Sequence, residues 1–202
     1  MPISHKYKVI FVHIPKTAGT SVERFLEIPG VSEEHLRSHK ISKINGVMYA
    51  PQHLTANLLI NHNFVKKYWN NYFKFSIVRH PYTRALSEYF WRKGKTRKNL
   101  KFNSNEFDNF LNSLKRMNKD HDLSQYDYLY NDGKLLVDYV GKYENLKLTV
   151  NTLCKRINIS KEFPITQKSS NKDSYLNLLT KEHKNKIIEL YNKDFEFFNY
   201  DK

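Results

Sequence analysis

The chain has a single cysteine, Cys154, among 202 residues, so an intrachain disulfide is excluded. Cys154 falls on the apolar face Leu146, Val150, Leu153 and Ile157, which marks it as a packed core residue rather than a nucleophile. No stretch approaches the roughly 18 to 20 apolar residues of a membrane span, and Met1 to Tyr7 is too polar for the apolar region of a secretory signal. The expectation is a cytoplasmic protein with no transmembrane segment. Acidic residues are also few. Asp plus Glu number 20 against 34 Lys plus Arg, leaving a net charge of +14. Such a field attracts nucleic acid, anionic lipid, acidic polysaccharide or a multiply phosphorylated small ligand, and charge alone does not choose among them.

What is present is enough for a core. A hydrophobic fraction of 40% and an aromatic fraction of 14% exclude a wholly disordered chain. The length suits one α/β domain and is short for two, so residues 1–202 are read as a single domain with no linker and no internal repeat. Tyr7 to Ile14 reads as a first strand, followed after a small-residue loop by a helix to about Glu27. Val31 to Asn45 is polar and irregular in pattern. Val47 to Ala50 reads as a short strand, Leu54 to Ile60 as a helix and Phe73 to Val78 as a second buried strand. Pro81 suits the first position of a helix with Ala85, Leu86, Tyr89 and Phe90 on its apolar face. Lys93 to Lys101 reads as a basic surface loop. Phe107, Phe110, Leu111 and Leu114 mark another helix, Leu135 to Tyr143 a third strand, and the Cys154 helix follows. Lys161 to Asn177 reads as a polar connection. Thr180 is placed to cap a last helix with Ile187, Ile188, Tyr191 and Phe195 inward. Strands alternating with helices predict a three-layer, P-loop-like α/β fold with a central parallel sheet.

The run Val9-Ile-Phe-Val-His-Ile-Pro-Lys-Thr-Ala-Gly-Thr-Ser21 has the form of a phosphate cradle. A buried strand breaks at Pro15 into a loop whose backbone N–H groups can face an anion. Gly19 permits close approach, and Lys16 supplies a full charge. The second strand ends at Arg79-His80-Pro81, where the Arg79 guanidinium can hold a terminal phosphate and Ser87 lies within reach on the next helix. In a parallel sheet both loops sit at the carboxyl ends of strands and can face one crevice. The first loop is not a Walker A sequence, since its lysine precedes the glycine, and neither of the first two strands ends in an acidic residue to hold magnesium.

Phe11-x-His-Ile-Pro-Lys-Thr-Ala-Gly-Thr-Ser21 resembles the 5'-phosphosulfate loop of sulfotransferases that use PAPS (3'-phosphoadenosine 5'-phosphosulfate), and Arg79-x-Pro-x-x-Arg-x-x-Ser-x-Tyr89 resembles their 3'-phosphate loop. The likeness is greatest to carbohydrate sulfotransferases of the heparan/chondroitin 2-O type and their bacterial relatives. It continues through Asp138-Tyr-Val-Gly-Lys-Tyr-Glu-Asn-Leu146 and the tail from Lys168 to Tyr200. The resemblance implies PAPS as donor, PAP as product and no metal. It also implies that Lys16 steadies the leaving oxygen, that Pro15, Thr17, Ala18, Gly19, Thr20 and Ser21 cradle the 5'-phosphate, and that Arg79 and Ser87 hold the 3'-phosphate. Relatives read Asn-Lys-Ser where this chain has Gln167-Lys168-Ser169, and Lys168 and Ser170 are implied contacts.

Sulfuryl transfer to an alcohol builds charge on the departing phosphate oxygen and needs a base for the acceptor hydroxyl, which favours histidine. His53, in Pro51-Gln-His-Leu-Thr-Ala56, is the candidate base, in a segment similar to the one where related enzymes place theirs. His39 is the runner-up, beside Arg37 and Lys40. His13 reads as a satisfied core histidine and His80 as a residue that shapes its loop. Arg84 either orients the loop or touches ligand, and Glu144 is a candidate partner for a loop arginine. Lys93, Lys95, Arg97, Lys98 and Lys101 read as solvated surface before a track for a polyanion, and Tyr126, Tyr128 and Tyr130 as packing before platforms for sugar rings. The expected activity is sulfuryl transfer from PAPS to a hydroxyl of an acceptor, a saccharide above others, with nucleic acid not a physiological partner. A P-loop kinase for a small metabolite and a basic polyanion-binding module without chemistry are the alternatives.

Overall fold

A computed structural model describes residues 3–28, 42–94, 101–161, 163 and 176–202. Its main sheet has the order β1 (Ile3–Ser4), β2 (Val9–Val12), β5 (Phe73–Val78) and β8 (Tyr139–Lys142). The last three strands are parallel and β1 is an antiparallel edge. Val12 pairs with Ser76 and Val78 with Lys142, so all three parallel strands deliver their carboxyl ends to one side of the domain. That is the expected mixed α/β architecture with a central parallel sheet flanked by helices.

Both sheet faces are dry, which explains why β2 is a continuous apolar run without alternation. Phe11, Phe75 and Ile77 pack against Val22 and Phe25 of α1 (Gly19–Phe25) and Val150, Leu153 and Cys154 of α7 (Leu146–Arg156). On the opposite face, Ile10, Val12 and Val78 meet Leu59 of α2 (Ala56–Asn61), Trp69 of α3 (Lys66–Trp69), and Tyr128 and Leu129 of α6 (Gln125–Leu129). A further apolar cluster joins α4 (Pro81–Arg92), α5 (Ser104–Leu114) and α8 (Lys181–Phe197) through Leu86, Tyr89, Phe107, Leu111, Ile187 and Phe195. Cys154 is 8% exposed within its cluster, as a core thiol should be.

Helix ends follow local chemistry. Pro81 opens α4, with His80 as its N-cap. Thr180 caps α8 by accepting from the His183 N–H, and His183 Nδ1 accepts from the Thr180 N–H in return. Two strand expectations need correction. The stretch Leu135 to Tyr143 is not one strand: Leu135 belongs to a hairpin of β6 (Tyr130–Asn131) and β7 (Lys134–Leu135), and only Tyr139–Lys142 enters the main sheet. Asp138 separates them, and its carboxylate accepts from the Lys74 N–H at 2.8 Å, closing the edge where the new strand begins. Within the segment read as irregular, Ser42–Ile44 forms β3, paired with β4 (Val47–Tyr49) across a tight turn at Asn45-Gly46. Asn45 and Gly46 both have positive φ, 50° and 85°, the geometry that an Asn-Gly hairpin turn demands. No helix among the described residues is long and apolar enough to cross a membrane.

Candidate active site

The first loop leaves β2 at His13 and enters α1 at Gly19. Lys16 and Ala18 both adopt left-handed backbone, φ 72° and 70°, which is strained for residues with a Cβ and tends to turn neighbouring N–H groups to one concave side, as in anion-binding loops. Thr17 is buried, and its hydroxyl donates to the Ile14 carbonyl at 2.8 Å, so this side chain holds the loop in shape. Thr20 and Ser21 are exposed on the first turn of α1. Gly19 is required by packing: a Cβ there would lie 1.9 Å from His13 Nε2. His13 is itself buried, with Nδ1 2.9 Å from Glu23 Oε1, so it is the satisfied core histidine expected from the sequence.

The second loop is tied to the first through arginines. Arg79, 3% exposed, donates from Nη1 to the Lys16 carbonyl at 3.1 Å and from Nε to Thr83 Oγ1 at 3.0 Å, and its guanidinium lies 4.3 Å from the Tyr143 ring centroid. Two of the five donors in its fork are thereby taken up. Arg84 donates to the Leu123 carbonyl at 2.9 Å and to the Pro15 carbonyl at 3.4 Å, which assigns it to orienting the loops. Ser87 stands half-buried on α4. Glu144 acts on Arg79 through its charge and makes no direct ion pair with it among the described residues. It accepts from the His80 N–H at 2.8 Å and from the Tyr200 hydroxyl at 3.0 Å, because the turn at Tyr143 to Asn145 brings it to the backbone of the second loop. His80 shapes that loop, its Nδ1 accepting from the Tyr82 N–H.

A buried amide anchors Arg79 from behind. Gln125, fully buried, accepts from the Arg79 N–H at 2.7 Å and donates to its carbonyl at 2.8 Å. Asp194 of α8, also fully buried, accepts from the Gln125 N–H, the Gln125 side-chain amide and the Tyr126 N–H. Burial pushes the Asp194 carboxyl up to about 6, against the pull of Arg84 and of those donors.

Beside the loops opens a cleft of about 530 Å³ lined by Met48, Gln52, His53, Trp91, Lys119 and His121, among others. His53 sits in the turn Pro51–His53, and its Nδ1 lies 2.9 Å from Asp120 Oδ2. Burial pushes the His53 pKa down to about 4; the hydrogen bond to Asp120 opposes that, and the rings of His13 and His121 add to it. Neutral His53 with Nδ1–H on a carboxylate presents Nε2 as a proton acceptor. Burial works to raise the Asp120 carboxyl, but His53 and the Ala50 N–H outweigh it and hold the group below its usual range. The rings continue in a row. His13 and His53 meet edge to face at 4.7 Å, His53 and His121 at 5.0 Å, and His121 stacks on Trp91 at 4.7 Å. Lys16 Nζ lies 5.1 Å from the centroid of the same indole. A line of contacts thus runs from the candidate cation to the candidate base.

The structure therefore brings Pro15, Lys16, Thr17, Ala18, Gly19 and Arg79 into one loop assembly and sets His53 in the adjoining cleft. Lys168, Ser170 and Gln167 lie outside the described residues, as do Arg37, His39 and Lys40 and the basic positions Lys95, Arg97 and Lys98. Sequence reasoning missed Asp120, His121, Glu88, Gln125 and Asp194. The Asp120-His121-Asp122 tripeptide, a histidine between two carboxylates, was the available signal for the first two. One nitrogen each from His53 and His121 and one oxygen of Asp120 lie within 4.8 Å of one another, a spacing a metal ion can also use.

These features define an α/β domain with two basic loops at the carboxyl edge of its sheet and a histidine–carboxylate pair beside them. The sequence profile of the sulfotransferase family matches residues 1–201, and the chain belongs to that family. An uncharacterized protein of Archaeoglobus fulgidus is 26% identical over 121 residues, which cover 60% of this chain and 97% of that protein. No solved structure matches.

Proposed function

We propose that the protein transfers the sulfuryl group of PAPS to a hydroxyl of an acceptor, with a saccharide the class that fits best. The observation that supports this reading is a neutral, carboxylate-held histidine on the wall of a cleft whose Trp91, stacked on His121, also meets the loop lysine, Lys16. In the proposed reaction the acceptor oxygen forms a bond to sulfur in line with the departing phosphate oxygen. The S–O bond to phosphate breaks, its electron pair stays on the phosphate, and the acceptor proton moves to His53 Nε2. Lys16 meets the charge that builds on the leaving oxygen, a role worth several kcal/mol in a site of reduced dielectric.

The loop residues suit the donor. The left-handed turns at Lys16 and Ala18 favour a concave row of N–H groups for the 5'-phosphate, and the Arg79 guanidinium with Ser87 is the candidate for the 3'-phosphate. Lys168 and Ser170 remain proposed contacts from sequence resemblance. Lys119 and Gln52 on the cleft wall suit a polar or anionic acceptor. Sulfate transfer from radiolabelled PAPS to a panel of glycans tests the reading directly. PAP should raise the melting temperature without magnesium, whereas protection by ATP with magnesium alone would point to a kinase.

A further inference from the structure

His121 has the same local chemistry as His53 yet has no part in the reaction described above. Its Nδ1 lies 2.7 Å from Glu88 Oε2, and Glu88 is itself gripped by Arg92, whose Nε donates to Oε1 at 2.7 Å. Burial works against ionisation of Glu88, but its bonds to His121 and Arg92 prevail and keep it below the usual carboxylate range. A carboxylate can only accept, so Nδ1 of His121 carries a hydrogen, and in the neutral ring Nε2 is left with the lone pair. The same holds for His53 and Asp120. Two imidazoles that both turn Nδ1 to a carboxylate, with ring centroids 5.0 Å apart, therefore line one cleft. Trp91 fixes the His121 ring from the side by stacking. Two adjacent acceptors call for a ligand with two adjacent O–H donors, because a ligand with one would leave a desolvated lone pair unmatched.

We propose that His121 is a specificity-determining residue that selects a vicinal diol. One hydroxyl gives its proton to His53 and becomes the sulfated oxygen, while its neighbour donates a hydrogen bond to His121 Nε2 and is left unmodified. This inference rests on the sulfotransferase reading and narrows its acceptor from any alcohol to a carbon pair bearing two hydroxyls, as on a sugar ring. His121 here binds and orients, and His53 alone takes the proton.

The test uses the full chain saturated with PAP, with cis-1,2-cyclohexanediol and cyclohexanol as probes and the imidazole ¹⁵N resonances of His53 and His121 as the readout. The diol should perturb both rings and bind about tenfold tighter than the mono-alcohol, the worth of one added hydrogen bond. His121→Phe keeps an aromatic ring to stack on Trp91 and should erase the preference, both probes then binding alike. His121→Gln, which retains an acceptor, should restore part of it. Equal binding of the two probes to the unaltered protein overturns the proposal, as does failure of both to bind, or a preference that survives in His121→Phe. If stoichiometric Zn²⁺ perturbs both rings and the diol does not, the pair is a metal site and the proposal falls. The thermal shift with PAP separates the two levels of argument. Loss of PAP binding sinks the sulfotransferase reading, whereas PAP binding without diol preference sinks only this inference.

Discussion

The Pro15 to Ser21 loop and the cleft beside it meet where Lys16 lies over Trp91, yet they are built by different means. The loop is contiguous in sequence and is pinned through its main-chain carbonyls: Thr17 donates to Ile14, and Arg79 and Arg84 donate to the carbonyls of Lys16 and Pro15. The cleft is held by side chains distant in sequence, His53 with Asp120 67 residues away and His121 with Glu88 33 residues away. A loop pinned through its carbonyls tolerates few changes of conformation, while a site made of side-chain pairs is altered one proton or one hydrogen bond at a time. The first arrangement suits an invariant charged donor and the second a variable acceptor.

The comparison breaks if variants on the two sides behave alike. Lys16→Ala should lower kcat about a hundred- to thousandfold and also weaken PAP binding, measured by radiolabel transfer and by titration with PAP. His53→Ala should lower kcat on the acceptor about a hundred- to ten-thousandfold while PAP binding stays unchanged. A His53 variant that loses PAP affinity as well would show that the cleft and the loop are one site. Gly19→Ala should destabilise the fold by about 1–3 kcal/mol, seen in thermal or denaturant unfolding, since the new methyl group must displace the buried His13 ring.

Smaller effects follow from protons. The folded-state pKa of His53 is about 4, below its ordinary 6.5. Between those values the unfolded chain takes up a proton that the folded chain refuses, so the contribution of His53 to stability falls as pH drops through that window. Neutral His53 persists down to about pH 4, and the acid limb of kcat/KM should lie near there, well below that of an ordinary histidine base. Asp194 works in the opposite direction. Its folded pKa is about 6 against an ordinary 3.8, so its contribution is lost as pH rises through that interval. Asp194→Asn should therefore cost less stability at pH 7 than at pH 5, by urea unfolding at the two values. A pH-independent cost would mean that Asp194 is already ionised in the fold.

The difference in construction also governs what could be read from sequence. The loop, β2, β5 and the Pro81 start of α4 announce themselves through apolar runs and turn residues within about a dozen positions. His53 could be singled out from its own segment, but its carboxylate partner could not, because nothing local links residue 53 to residue 120. The misread strand at Leu135 to Tyr143 has the same origin: an apolar run signals burial, and it does not say where one pairing partner is exchanged for another. Gln125 and Asp194 lie in ordinary helical patterns, and only the packing of α6 against α8 reveals them as supports of Arg79.

The bridging of the two loops by Arg79 and Arg84 bears on how a nucleotide would arrive. Their guanidinium groups fasten the first turn to the second through protein bonds alone, which makes the carboxyl edge of the sheet a single scaffold in place of two hinges. Little chain disorder is left to remove on docking, and more of the contact energy survives as affinity.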